Sequence, residues 1–139
     1  MKKITTLIFA LVIALGLILQ SGALPVQAQS LQAESVPGKA VLVAPNGLIR
    51  TSTPYFRWKP VPGATSYYIE IQRLVAHKII YTIRKTYKAQ YCSSKMCKMS
   101  LTTSLQKGAF YRWRVMAINA NGYGAQTDWK EFYVHRNSK

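Results

Sequence analysis

Residues 105–124 constrain the fold most. Tyr111, Trp113, Val115 and Ala117 fall at every second position, with Arg112 and Arg114 between them. Successive side chains of a strand point to opposite faces, so the segment has one apolar face and one basic face. A helix would scatter the arginines among the aromatics. Asn119, Asn121 and Gly122 then supply a turn. The segment reads as a central β-strand with a core on one side and solvent or a ligand on the other.

Residues 65–74 alternate in the same way. Tyr67, Ile69 and Ile71 fall on one side, and Tyr68, Glu70 and Gln72 on the other. Further strands are expected over residues 40–44, 55–58, 79–84, 97–101 and 128–134. They are separated by turn signals such as Pro45-Asn46-Gly47 and by the breakers Pro60 and Pro62. That makes about seven short strands, with turn signals roughly every ten residues and no helical period after the leader. The expectation is an all-β antiparallel sandwich.

The first residues read differently. Lys2 and Lys3 precede an apolar run over residues 7–19, and Val26-Gln27-Ala28 offers a small-residue exit. That is the pattern of a signal peptide over residues 1–28. The run is shorter than the roughly 20 residues that span a bilayer, so no membrane insertion is expected after cleavage. Residues 29–39 read as a flexible stub and 40–135 as one domain. The expected location is extracytoplasmic: periplasm, cell surface or medium.

Export bears on the two cysteines. In an oxidising compartment Cys92 and Cys97 are expected to pair as a disulfide closing a small loop. The alternative, a zinc site, would need His77 and His135, which stand at no recognised ligand spacing.

Charge is the other prominent property. Without Lys2 and Lys3 the chain holds seventeen basic residues against four acidic ones, a net of +13. Such an excess favours anionic partners: an acidic polysaccharide, a cell-wall polymer, membrane headgroups or, non-specifically, nucleic acid, with a protein as the further candidate partner. Charge alone is equally compatible with a soluble protein that has no ligand.

The residues that carry these strands also carry a resemblance. Residues 54–58, 61–69, Leu105, Gly108, 111–119, 122–124 and 132–134 together resemble a fibronectin type III-like domain of secreted bacterial proteins. The resemblance implies an immunoglobulin-like sandwich with Trp58 as the core tryptophan of the second strand. It implies that Tyr111 closes a corner by hydrogen-bonding back to the preceding loop. The Cys92–Cys97 pair resembles a local bridge of some bacterial members. Trp129 lies closer to Phe132 than the family pattern leads one to expect, which leaves the register of the last strand open. The family consists mostly of binding and spacer modules and has no catalytic motif to carry over.

Enzymatic chemistry is not expected, nor is a cofactor or a metal. Glu34, Glu70, Asp128 and Glu131 form no acid–base pair in the sequence, and there is no nucleophile elbow or phosphate loop. Glu70 is expected to pair with an arginine. The candidate ligand surface is the outward side of the two alternating strands: Tyr68, Arg112 and Arg114, with Gln72 and Arg84 beside them. Tyrosine beside arginine can stack sugars or bases and hold anionic groups. The competing reading is an ordinary solvated face on a spacer domain.

Overall fold

The computed structural model describes residues 35–136. The expected signal peptide and most of the stub lie outside the described residues. The strands are β1 Val41–Ala44, β2 Gly47–Ile49, β3 Phe56–Lys59, β4 Ser66–Val75, β5 Lys78–Lys88, β6 Cys97–Met99, β7 Ala109–Asn119, β8 Gly122–Tyr123 and β9 Lys130–Val134. A single 3₁₀ turn, Ala89–Tyr91, follows β5.

The strands form two sheets. β1, β3 and β6 make a three-stranded sheet in the order β1-β3-β6. The larger sheet runs β2-β9-β7-β4-β5, with β8 attached to β7. All pairings are antiparallel except β2 with β9. The chain passes from one sheet to the other between β1 and β2.

The alternations dictate the core. On β7, Tyr111, Trp113, Val115 and Ala117 are buried, and on β4 so are Tyr67, Ile69 and Ile71. Phe56 and Trp58 close the core from β3, and Phe132 and Val134 from β9. The rings meet edge to face, Phe56 on Trp113 at 5.2 Å and Trp58 on Tyr67 at 5.3 Å, a geometry aromatic quadrupoles favour. The Tyr111 hydroxyl accepts the Gln106 N–H at 2.8 Å, the corner that the resemblance implies. The Trp113 indole N–H donates to the Pro45 carbonyl at 3.0 Å, tying the β1–β2 bend to the centre of the larger sheet.

Several elements differ from the sequence expectation. β2 begins at Gly47, the last residue of an expected turn, and β8 falls where a glycine-rich turn is expected. Strands of three and two residues are too short to show an alternation, and their pairing with β9 and β7 is what makes them strands. β5 continues to Lys88 through residues that read as a polar connection. It is an edge strand with most residues exposed, so its sequence carries little apolar signal. The β4–β5 hairpin turns on Ala76 and His77, with φ of 46° and 62°. Two-residue hairpin loops favour positive φ because it matches the strand twist, and glycine or asparagine is the usual signal; neither is present.

Residues 35–39, assigned to the stub from sequence, lie against the domain. Pro37 is buried, and Asn119 Nδ2 donates to the Ser35 carbonyl at 2.9 Å. A Cβ at Gly124 would overlap the Pro37 carbonyl oxygen, so glycine is required there.

Candidate functional site

The outer face of the larger sheet is built by β4, β5, β7 and β9. Inter-strand register places Arg112 opposite Gln72 and Arg114 opposite Glu70, with Arg84 opposite Glu70 on its other side. Tyr68 lies one step further along, opposite Met116 and Thr86, and is half-buried. The expected candidates therefore do share one face.

That face is internally bonded. Arg114 donates from Nε and Nη2 to Glu70 Oε2 at 2.9 and 2.6 Å. Arg84 reaches the other carboxylate oxygen at 3.6 Å. Arg112 Nε donates to Gln72 Oε1 at 2.8 Å, and Gln72 Nε2 donates to Glu70 Oε1 at 3.3 Å. Glu70 and Gln72 are consequently buried on a nominally solvent-facing side, at 5 % and 7 % exposure. A buried carboxylate needs such partners, because desolvation otherwise outweighs its pairing.

Trp129 completes the arrangement. Its ring lies 4.4 Å from the Arg112 guanidinium and 4.2 Å from that of Arg114. Thr127 positions it. The Val115 N–H donates to the Thr127 hydroxyl and the Thr127 N–H to the Val115 carbonyl, both at 3.0 Å. These bonds hold the approach to β9 against β7. The close spacing of Trp129 and Phe132 is thereby resolved: β9 starts at Lys130, opposite Trp113, and Trp129 precedes it as a cover over the arginines. Sequence reasoning did not see this role, because Trp129 stands outside the alternating run.

Other ionic contacts are peripheral. Lys39 pairs with Asp128 at 2.7 Å at the surface. The hydrogen bond from the Lys39 ammonium, reinforced by its charge, holds the Asp128 carboxyl below the usual carboxylate range. His77 lies at the exposed hairpin turn, and His135 follows β9. Among the described residues no group of three or more histidines, cysteines or carboxylates could hold a metal ion. Cys92 and Cys97 are joined in a disulfide, as expected from sequence.

The outer face of the three-stranded sheet was not singled out from sequence. Arg57 and Lys59 project from β3 and Lys98 from β6, all exposed, while the residues between them face the core. Arg57 stands directly opposite Lys98. Lys98 Nζ lies 3.7 Å from the centre of the Tyr55 ring. Among the described residues, no carboxylate forms an ion pair with any of these three cations. A like-charge pair across a ladder is visible only once the register of β3 and β6 is known.

No family model matches the chain, and no curated protein matches it. Solved structures do. The chain is similar to the FN5 domain of Drosophila Lar, at 18 % identity and a TM-score of 0.53, covering 73 % of this chain and 100 % of that one. It is also similar to the fibronectin type III domain of human collagen alpha-1(XX), at 13 % identity and a TM-score of 0.52, covering 80 % and 96 %. With the sheet order, the core tryptophan on β3 and the Tyr111 corner, these likenesses establish the fold: residues 35–136 form a fibronectin type III-like domain.

Proposed function

We propose that the chain is exported and acts as a non-enzymatic binding module for an anionic polymer, a polysaccharide or a cell-wall polymer. The observation that carries this reading is the distribution of charge. The described residues include sixteen basic side chains and three acidic ones. Two of the three, Glu70 and Asp128, already hold cations of their own. The excess is therefore presented outward with almost nothing to neutralise it, which attracts polyanions over several ångströms. A sandwich stapled by a disulfide suits an oxidising exterior, and no helix among the described residues is long and apolar enough to cross a membrane.

The expected site at Arg112 and Arg114 is recast by this reading. Both guanidiniums are committed to Gln72, Glu70 and Trp129. Their work is to hold the larger sheet's outer face, and anion binding falls to cations with no hydrogen-bonded side-chain partner among the described residues. Tyr68 borders this bonded face and has a secondary part at most.

The test is affinity for polygalacturonate and polyphosphate as a function of salt. Binding should weaken steeply as salt rises. Three neutralised cations imply a loss of roughly forty-fold between about 50 and 200 mM salt, if the polymer condenses counterions as duplex DNA does. An absence of binding to either polymer at low salt would reject the reading and leave a spacer domain.

A further inference from the structure

Resting on that reading, we propose that the anion is bound at one built site on the three-stranded sheet, between Arg57 and Lys98 and beside Tyr55. The ligand class is an acidic residue of a polymer, bearing a carboxylate or a phosphate.

The first observation is the like-charge pair. Arg57 and Lys98 occupy directly opposed positions of an antiparallel ladder, where like charges repel and opposite charges attract. On the larger sheet Arg84 and Arg114 share the Glu70 carboxylate of the strand between them. Here no carboxylate of the described residues takes that place. An anionic group set between the two side chains would turn a repulsive pair into two attractive ones.

The second observation is that the two cations are held together by their backbones. Arg57 lies between Phe56 and Trp58, both buried in the core. Lys98 follows Cys97, which is buried and bonded to Cys92. The Tyr87 hydroxyl donates to the Lys98 carbonyl at 2.9 Å, fixing β6 from the other sheet. The Cys92–Cys97 loop is closed further by Ser93, whose N–H donates to the Met96 carbonyl at 3.0 Å. This scaffold fixes the approach of the two charges before any ligand arrives, which lowers the ordering entropy of binding.

The third observation is shape. Arg57, Lys98 and Tyr55 line a concave pocket of about 330 Å³, with Thr51 and Pro54 forming part of its wall. Pro54 is buried, and the Thr51 hydroxyl accepts the Thr53 N–H at 3.1 Å, so that wall is braced. The Tyr55 ring is 52 % exposed, and the part of it that Lys98 Nζ does not cover offers an apolar surface to a sugar ring whose acidic group reaches the cations. Lys59 projects on the same side two residues along β3, roughly 7 Å away, a step that suits the next charge of a polymer.

The site makes a prediction of unusual sign. Arg57→Gln removes the repulsion and the ligand contact together. The variant should therefore melt higher than wild type without polymer, and it should gain little from polymer. The experiment is thermal unfolding at low salt of wild type, Arg57→Gln, Lys98→Gln and the control Lys107→Gln, a lysine that does not line the pocket. Each is measured alone and with polygalacturonate, polyphosphate, single-stranded DNA or uncharged dextran. Wild type and the control should gain melting temperature with at least one of the first two polymers and none with dextran. Both site variants should lose most of that gain, with affinity down ten-fold or more. The larger shift between polygalacturonate and polyphosphate tells whether carboxylate or phosphate is preferred. If polymer stabilises the site variants as it does wild type, the anion binds elsewhere: the site is wrong and the binding reading survives. If wild type gains from neither polymer, both fail. A gain from single-stranded DNA that Arg57→Gln and Lys98→Gln retain in full overturns the site in favour of diffuse charge. A lower melting temperature for Arg57→Gln without polymer overturns the claim of uncompensated repulsion.

Discussion

The two outer faces of this sandwich place the same residue types in opposite circumstances. On the larger sheet, Arg84 and Arg114 close on one buried carboxylate, Arg112 on Gln72, and Trp129 covers two of the three guanidiniums. On the smaller sheet, Arg57 faces Lys98 with only the Tyr55 ring beside them. The difference lies in what a basic residue is for. A guanidinium paired with a desolvated carboxylate is a structural element, and removing it strands a buried charge. A cation facing another cation costs the fold a small repulsion, offset here only by the Tyr55 ring beside Lys98. The arginines easiest to notice in the sequence are therefore the ones least free to bind.

The largest expected effect removes what both faces share. Trp113 is fully buried beneath the larger sheet, and its indole N–H holds Pro45, a neighbour of the Arg57–Lys98 pocket. Trp113→Ala should cost about 4 kcal/mol, measured by denaturant unfolding, and should loosen both faces together. A cost below about 1 kcal/mol would mean that this core is not shared.

Next comes the support of the smaller face. Replacing Cys92 and Cys97 with serine together should cost about 2 kcal/mol by the loop-closure argument. The effect on polyanion affinity should be greater than that of any larger-face variant of equal stability, because Lys98 follows the bridge directly. Unchanged affinity in the folded serine variant would separate the bridge from the site.

Trp129→Ala should cost about 1–2 kcal/mol, from two cation–π contacts and the exposure of the network beneath. Polyanion affinity should not fall, since uncovering Arg112 and Arg114 leaves both still bonded. A marked fall would return the ligand to the larger face.

The smallest effect is at the surface. The Asp128 carboxyl is held below its ordinary value by Lys39, so their pairing adds stability above the unfolded carboxylate value, about 3.9. That increment is lost as pH falls through the lower folded value. NMR titration of the Asp128 carboxyl should show the depressed midpoint, and Lys39→Gln should restore it. A midpoint unmoved by Lys39→Gln would show that the contact is not held in solution.

Much of the fold was legible, and the reason is local. Tyr111 to Ala117 and Tyr67 to Ile71 alternate strictly because each strand has one buried face, and burial parity needs no knowledge of partners. The Tyr111 corner likewise spans only five residues, to Gln106. What escaped depends on register between distant segments. Glu70 could be expected to meet an arginine, but that Arg114 and Arg84 flank it follows from the pairing of β4 with β7 and β5. Arg57 and Lys98 are forty-one positions apart and meet only because β3 pairs with β6. Trp129 sits outside any alternation, and the pairing of Thr127 and Lys130 on either side of it with β7 brings it over the arginines. Inward faces announce themselves in a sequence, while the chemistry of outward faces is assembled by pairing.

The central claim is the opposite sign of the charge coupling on the two faces, and two double-mutant cycles in denaturant test it directly. The Glu70–Arg114 cycle should give an attractive coupling of about 2 kcal/mol that changes little with salt, because the carboxylate is buried. The Arg57–Lys98 cycle should give a repulsive coupling of a few tenths to about 1 kcal/mol at low salt. It should vanish near 1 M salt, where screening acts within roughly 3 Å. A favourable or zero Arg57–Lys98 coupling at low salt would contradict the account, since the smaller face would then hold no strain for an anion to relieve.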